Sequence, residues 1–227
     1  MPNHTIFNER LESQDRALKV IEKLGYTIVP RSEAEKKRGS RRAVLFTEEL
    51  QSFLSHQTYQ FGTEDRFFSG GSIAKAMQTV DQFSAAGLYA ENKAIYELLC
   101  AGKSMEEDLP DGTRQSFDLS FIDFEHPENN TFQVTDEFEV ERPNGKFARP
   151  DIVVLVNGIP LVVIECKKSS VDVMEGVNQN IRNWGEEYIP HLFRYTQLVL
   201  AVNPDKVLYG TCGTPAKYFV SWHEDDK

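Results

Sequence analysis

The sequence predicts an α/β sandwich preceded by a largely helical extension, and three observations carry that expectation. An amphipathic helical repeat lies near the amino terminus, two short strands apolar at both odd and even positions flank residue 158, and a helical segment separates them from another apolar strand. Strands apolar on both faces need cover on both faces, which helices supply.

The elements follow in order. Leu11, Ala17, Leu18, Ile21 and Leu24 recur at helical spacing and Gly25 follows as a stop, so Glu9 to Leu24 is read as a helix. The segment Glu33 to Arg42 gathers Lys36, Lys37, Arg38, Arg41 and Arg42 around Gly39 in the one dense basic patch of the chain. It is read as exposed; a solvated loop is the plain reading and contact with DNA phosphates the sharper one. Val44 to Leu54 and Ser72 to Leu99 read as mostly helical, interrupted by aromatic-rich loops around Phe67 and Phe68. After Gly112 the texture changes: Ser116 to Phe124 and Thr131 to Val140 alternate as strands, broken by the turn-rich His126-Pro127-Glu128-Asn129-Asn130. Strands Asp151 to Val156 and Leu161 to Lys167 come next, then a helix over Val171 to Trp184 and a strand over Tyr195 to Val202. The expected division is a mainly helical region over 1–112, contributing the first helix of the core, and a core over 113–227.

Composition limits the function classes. The 227 residues are 40% hydrophobic and 11% aromatic, enough apolar surface for a packed core rather than a disordered chain. The apolar runs are too short to cross a bilayer, and the start of the chain does not resemble a signal sequence, so a cytoplasmic protein of a bacterium or archaeon is expected. Cys100, Cys166 and Cys212 lack metal-ligand spacing and suit a reducing compartment without disulfides, and the five histidines show no paired zinc spacing. With 25 basic and 35 acidic residues the net charge is −10, the wrong sign for a free-standing nucleic-acid binder, so weak binding alone is expected. Carboxylates gathered at a site hold a cation instead of repelling phosphate, and a partner can deliver DNA.

One combination of residues carries chemistry. Glu-x-Lys triplets occur at Glu35, Glu91 and Glu165, and Pro-Asp pairs end at Asp111, Asp151 and Asp205. Two of the pairs read as turns. Pro150-Asp151 opens an apolar strand, Asn157-Gly158 supplies a hairpin turn, and Glu165-Cys166-Lys167 closes the returning strand. The two-residue period puts Glu165 and Lys167 on one face and Cys166 on the other, where it is expected to be buried and not nucleophilic. A strict two-residue turn pairs Val156 with Ile159, hence Asp151 with Ile164, and points the two carboxylates apart. A three-residue loop or a bulge shifts the register by one and brings Asp151 and Glu165 to the same face. Two convergent carboxylates suit Mg²⁺, with Mn²⁺ as a substitute and the Cys166 carbonyl as a further ligand. Lys167 then reaches the attacking water or the scissile phosphate in phosphodiester hydrolysis. An ordinary strand-end ion pair is the plain alternative.

This arrangement resembles the PD-(D/E)xK nuclease superfamily. More narrowly, Arg149-Pro150-Asp151-Ile152-Val153, Val156-Asn157-Gly158-Ile159-Pro160-Leu161 and Ile164-Glu165-Cys166-Lys167 resemble the amino-terminal region of the restriction subunit of type I restriction-modification enzymes. Ser13-Gln14-Asp15-Arg16-Ala17-Leu18, Ile189-Pro190-His191-Leu192-Phe193 and Tyr209-Gly210-Thr211 extend the likeness over nearly the whole chain. The resemblance implies a restriction-endonuclease-like core with a mixed central sheet flanked by helices. It further implies metal binding by Asp151 and Glu165, catalysis by Lys167, and an Mg²⁺-dependent endonuclease that cuts double-stranded DNA within a larger ATP-dependent complex. Modification and specificity subunits are its implied partners, together with the subunit's own carboxy-terminal translocase, which uses the ATP; this chain carries no phosphate-loop motif. In such nucleases a glutamine in a Gln-x-x-x-Tyr pattern aids cleavage; Gln179 matches it, whereas Asn183 stands at the tyrosine place. An additional acid from the first helix has local candidates in Glu9, Glu12 and Gln14, of which Gln14 shares the face of Leu18 and Ile21. Trp222 is expected to pack the last strand on the core. Two competing readings are a noncatalytic docking module on the same fold, opposed by the intact Asp151, Glu165 and Lys167, and a stand-alone repair or defence nuclease, opposed by the net charge.

Overall fold

The computed structural model describes residues 13–82 and 86–222. Its elements are α1 (Asp15–Lys23), β1 (Thr27–Ile28), α2 (Arg31–Arg38), α3 (Thr47–Ser55), β2 (Thr58–Phe61), β3 (Glu64–Phe67), α4 (Gly70–Asp81), α5 (Leu88–Ala101), β4 (Lys103–Asp108) and β5 (Arg114–Leu119). Then come β6 (Phe132–Asp136), β7 (Val140–Glu141), β8 (Phe147–Ala148), β9 (Ile152–Val156), β10 (Ile159–Cys166), α6 (Met174–Asn183), α7 (Pro190–Phe193), β11 (Leu198–Val202), β12 (Val207–Gly210) and β13 (Val220–Ser221).

The central sheet has seven strands in the order β1-β6-β9-β10-β11-β12-β13. The pairs β1–β6 and β10–β11 are parallel and the other four antiparallel, so the sheet is mixed. Every residue of β9 is buried. Ile152 and Val154 face α1 together with Leu18, Val134, Ile164 and Cys166. Val153, Leu155, Val163 and Val199 face the other way, into a core shared with Leu50, Leu54, Phe68, Ile73, Phe121 and Phe193. Each such aliphatic side chain removed from water contributes about 1.5–3 kcal/mol, and burial on two faces explains a strand with no polar alternation. The α/β architecture and the order α1, three antiparallel strands, α6, β11 agree with the restriction-endonuclease-like expectation.

Several local expectations are corrected. The first helix is described from Asp15, after a wide turn at Ser13 and Gln14; Glu9 and Glu12 lie outside the described residues. The segment around Phe67 and Phe68 is not a loop but the β2–β3 hairpin, which leaves Phe67 exposed and sends Phe68 into the core. The strand expected over Ser116 to Phe124 is β5, and it pairs with β4 in a separate ribbon, not in the central sheet. The expected division at residue 112 therefore falls inside that hairpin, and the main core draws residues from both sides of it. The strand over Thr131 to Val140 breaks at Glu137, whose φ of +52° turns the chain away from the sheet. Trp222 stays exposed and lies edge-on to Tyr209 instead of entering the core.

The basic segment is corrected most. Up to Arg38 it is the helix α2, closed by Gly39 in a left-handed conformation, and only the stretch from Gly39 to Arg42 is the exposed loop expected. The Arg38 guanidinium is buried over the Phe138 ring at 3.9 Å, donating to the carbonyls of Ala34, Ala43 and Glu139. Burial lowers its pKa to about 10. Lys37 pairs with Glu49 and Glu33, Arg41 with Glu139 and Glu35, and Arg42 with Glu141. Lys36 is exposed. A charge run that reads as a phosphate surface is folded against acidic neighbours brought from residues 33–49 and 139–141, and Arg38 cannot reach a phosphate.

The β9–β10 turn is held by tertiary contacts. Asn157 and Gly158 both have positive φ, 50° and 79°, as a tight two-residue hairpin requires. The Asn157 side chain is fully buried, donating to Phe121 O and Asn130 Oδ1 and accepting from the Thr131 N–H. Gly158 accepts a hydrogen bond from Phe46 N–H, and a Cβ there would stand 2.3 Å from the Phe46 carbonyl oxygen. Gly158→Ala is therefore expected to lower stability by about 2–4 kcal/mol in urea unfolding, through strain at positive φ plus overlap with fixed backbone; a loss under 1 kcal/mol would refute the lock.

Candidate active site

The hairpin register decides where the carboxylates point. Val156 pairs with Ile159 and Leu155 with Pro160, as a strict two-residue turn demands, but then Val154 pairs with Val162, Val153 with Val163 and Ile152 with Ile164. Leu161 is the extra residue of a bulge. Pro160 has no N–H to give the ladder, and the Leu161 carbonyl accepts instead from Gln197 N–H at 2.8 Å, at the start of β11. The shifted register sets Asp151 opposite Glu165, on the face occupied by Val153 and Val163, so the bulge alternative is the one realised.

Asp151 stands just before β9, and its Oδ2 accepts from Cys166 N–H at 2.7 Å. Glu165 is fully buried. Its Oε1 accepts from Asn183 Nδ2 at 3.2 Å, while Oε2 is buried without a hydrogen-bond partner. Burial, followed by the charge of Asp151, pushes the Glu165 pKa well above the usual carboxylate range, with Lys167 and Arg182 acting the other way. A carboxylate removed from water beside a second, partly buried one resists ionising unless a cation joins them. Lys167 extends the same face and its Nζ donates to Gln179 Oε1 at 2.9 Å, so the structure brings together Asp151, Glu165, Lys167 and Gln179. Cys166 points to the opposite face, 1% exposed against α1, and burial followed by the nearby acids raises its thiol pKa well above normal, in line with the expectation that it is no nucleophile.

Gln14 reaches the site from the far face, but through the main chain: its Nε2 donates to the Asp151 carbonyl at 3.1 Å, beside the Glu137 N–H at 2.8 Å. It fixes where Asp151 sits and does not touch its carboxylate in this structure. Lys36, Lys37, Arg38, Arg41 and Arg42 contact none of these four side chains; the partners of Lys37, Arg38, Arg41 and Arg42 include Glu33, Glu35, Glu49, Glu139, Glu141 and main-chain carbonyls. A cleft of about 780 Å³ is lined by residues such as Arg42, Met77, Asp81, Arg142, His191 and Arg194, and includes none of the four either. Among the described residues no group of three or more His, Cys, Asp or Glu side chains is placed to hold a metal ion, so a cation here would draw on two carboxylates plus main chain, water or substrate oxygens.

The profile of the family described as "Type I restriction enzyme R protein N terminus" matches residues 6–218. The chain belongs to this family. Among the type I restriction relatives, the HindI endonuclease subunit of Haemophilus influenzae is 26% identical over 202 residues, covering 88% of this chain and 18% of the relative. The SsaAORF53P endonuclease subunit of Staphylococcus saprophyticus is 41% identical over 85 residues, 37% of this chain and 9% of the relative. The SauCOLORF180P endonuclease subunit of Staphylococcus aureus is 32% identical over 122 residues, 52% of this chain and 12% of the relative. The chain thus spans less than a fifth of the length of these relatives. No helix among the described residues is long and apolar enough to cross a membrane.

Two residues of this type I R-protein site were not singled out for the contacts they make. Asn183, at the place where the motif has tyrosine, turns its amide onto Glu165 and is 2% exposed. Its position four residues after Gln179, on the same helical face, was the available signal. Gly176 allows α6 to lie on the strands: a Cβ there would stand 3.0 Å from Ala201 Cβ and 3.4 Å from the Glu165 carbonyl oxygen.

The raised Glu165 pKa has a consequence for stability. Because the fold favours its protonated form, the contribution of Glu165 is full below the ordinary carboxylate pKa and is lost as pH rises through the elevated folded value. Glu165→Gln, neutral throughout, is expected to match the wild type near pH 4. At pH 8 without divalent cations its thermal midpoint should be higher, by about 2–4 °C for each kcal/mol of burial penalty that the neutral amide removes in a chain of this size. A lower midpoint at pH 8 would contradict the buried-acid reading.

Proposed function

We propose that this chain is the DNA-cleaving domain of a type I restriction enzyme R subunit, a Mg²⁺-dependent type I site-specific deoxyribonuclease that hydrolyses phosphodiester bonds in foreign double-stranded DNA. The observation that carries this reading is the bulged hairpin, which sets Asp151 beside a buried Glu165 whose Oε2 lacks a partner, with Lys167 on the same face. A buried carboxylate oxygen without a donor, next to a second carboxylate, fits a hard divalent cation. Asp151, Glu165 and the Cys166 carbonyl are the residues that would hold it, with Mn²⁺ as a substitute. When bound, Mg²⁺ polarises the phosphoryl group and offsets the charge that grows on it.

The chain's own residues do the rest. Asn183 occupies Glu165 Oε1 and leaves Oε2 for the cation. Gln179 holds the Lys167 ammonium, which donates to the phosphoryl oxygen as negative charge develops, or orients the water. Water adds to phosphorus, one phosphorus–oxygen ester bond breaks, and the departing oxygen takes a proton, so the products are a phosphate monoester end and a hydroxyl end. Gln14 keeps the Asp151 main chain in register from behind.

The length of the relatives supports a larger assembly, in which a motor that uses ATP, together with modification and specificity subunits, presents the DNA to this domain in the cytoplasm. The docking-module and stand-alone readings find no comparable support, since the first leaves the orphaned Glu165 oxygen unexplained and the second needs a free cationic surface that the neutralised basic segment does not supply.

Calorimetric titration of Mg²⁺ or Mn²⁺ is the test. Asp151→Ala and Glu165→Gln are expected to abolish binding, whereas Lys167→Ala keeps it within about threefold and loses at least about 100-fold in cleavage of plasmid DNA by the assembled enzyme. Binding that survives unchanged in both carboxylate variants would overturn the reading.

A further inference from the structure

The described arginines differ in their partners, and Arg38 is sealed over Phe138 with main-chain carbonyls. Arg31, Arg41, Arg42, Arg66, Arg114, Arg149 and Arg194 each meet a carboxylate. Arg142 and Arg182 do not pair with a carboxylate in any ion pair found among the described residues; instead they share one ring. The Arg142 guanidinium lies 3.9 Å from the centroid of Tyr188 and that of Arg182 lies 5.4 Å from the same centroid. The Arg142 side chain is fixed through Nε, which donates to the Glu187 main-chain carbonyl at 3.1 Å.

This arrangement leaves both cations usable. Stacking engages the face of a guanidinium and leaves its in-plane N–H groups pointing outward, the geometry that meets a phosphate with two parallel hydrogen bonds. Holding two like charges near one aromatic ring without a counter-ion costs free energy, so an anion that joins both is favoured there. The cluster is also beside the candidate active site. Gln179, Arg182 and Asn183 follow at helical spacings of three and four on α6, and Gln179 and Asn183 touch Lys167 and Glu165. Glu165 lies within electrostatic reach of Arg182. In a chain of net charge −10, with its densest basic segment neutralised, a pair of cations free of carboxylates beside the acids is the surface best matched to a polyanion.

We propose that Arg142, Tyr188 and Arg182 form a clamp for the DNA backbone, binding a phosphate that flanks the one presented to Asp151 and Glu165. The inference rests on the nuclease reading and specifies how its substrate is seated: by shape-neutral phosphate contacts and not by base reading. Glu186 and Glu187 next to Tyr188 limit the affinity, which agrees with a domain that depends on a larger assembly for DNA delivery.

The test uses the full chain printed above and a fluorescent duplex of about 30 base pairs, with Ca²⁺ in place of Mg²⁺, followed by anisotropy from about 20 to 200 mM salt. The double variant Arg142→Ala with Arg182→Ala is expected to bind at least about tenfold more weakly. Its slope of log affinity against log salt should fall by about 1, the loss of the one neutralised phosphate. Arg142→Lys with Arg182→Lys should keep part of the salt slope but not the affinity, because lysine neither stacks flat nor presents a fork. Arg31→Ala, whose guanidinium is held by Glu35 and Glu139, should bind like the wild type. Unchanged affinity and slope in the double alanine variant would overturn the clamp and leave the cluster to an acidic protein segment; so would a wild-type chain that binds no duplex at 20 mM salt. Mg²⁺ calorimetry on the same variants separates this failure from that of the nuclease reading. Metal binding intact in the arginine variants and lost in Asp151→Ala upholds the active site whatever the clamp does.

Discussion

Everything distinctive about this fold depends on the register of one hairpin. The Asn157-Gly158 turn is fixed from outside by Phe46, Phe121, Asn130 and Thr131, and Pro160 next to it cannot complete the ladder. The strand responds by spending Leu161 on a bulge, and every residue beyond it changes face relative to an unbulged pairing. Asp151 and Glu165 meet for that reason, and Cys166 goes to the α1 side for the same reason. A feature about 20 Å of strand away from the turn is thus set by a turn whose own conformation is set by the rest of the core.

The site that results is acidic, buried and held on three sides. β10 delivers Glu165 and Lys167, α6 closes over them with Gln179 and Asn183, and Gly176 gives that helix its close approach to the strands. From the opposite face Gln14 holds the Asp151 main chain. Keeping a fully buried carboxylate beside a second, partly buried one is unfavourable in itself, and Oε2 of Glu165 has no donor to offset that cost. The proposed cation would offset it, whereas an ordinary ion pair resolves such an imbalance internally.

Charge elsewhere follows the opposite rule. The basic run of α2 is matched by acids at residues 33, 35, 49, 139 and 141, and Arg38 is sealed over Phe138. The two guanidinium groups that share the Tyr188 ring have no carboxylate partner among the described residues, and they lie next to the acids. Net charge and runs of like residues are therefore poor guides to where this protein presents cations, because partners far apart in sequence decide which charges remain available.

The chain alone determined the α/β class, the order of core elements and the burial of β9 and β10 on both faces, and it singled out Asp151, Glu165 and Lys167 as candidates. Those readings rest on local periodicity, turn chemistry and residue type, which act over a few neighbouring positions, whereas Gln179 came from the family resemblance. The sequence left open whether the two carboxylates converge, since both registers obey the same two-residue period and only the pairing across strands separates them. It also misplaced the α2 cations, the β2–β3 hairpin and Trp222, and it marked Asn183 as a departure from a motif without showing that its amide meets Glu165. Apart from the hairpin, whose pairing is local, these were settled by contacts between residues from 12 to more than 100 positions apart, among them Lys37 with Glu49 and Arg38 with Glu139, and such contacts exist only once the chain is folded.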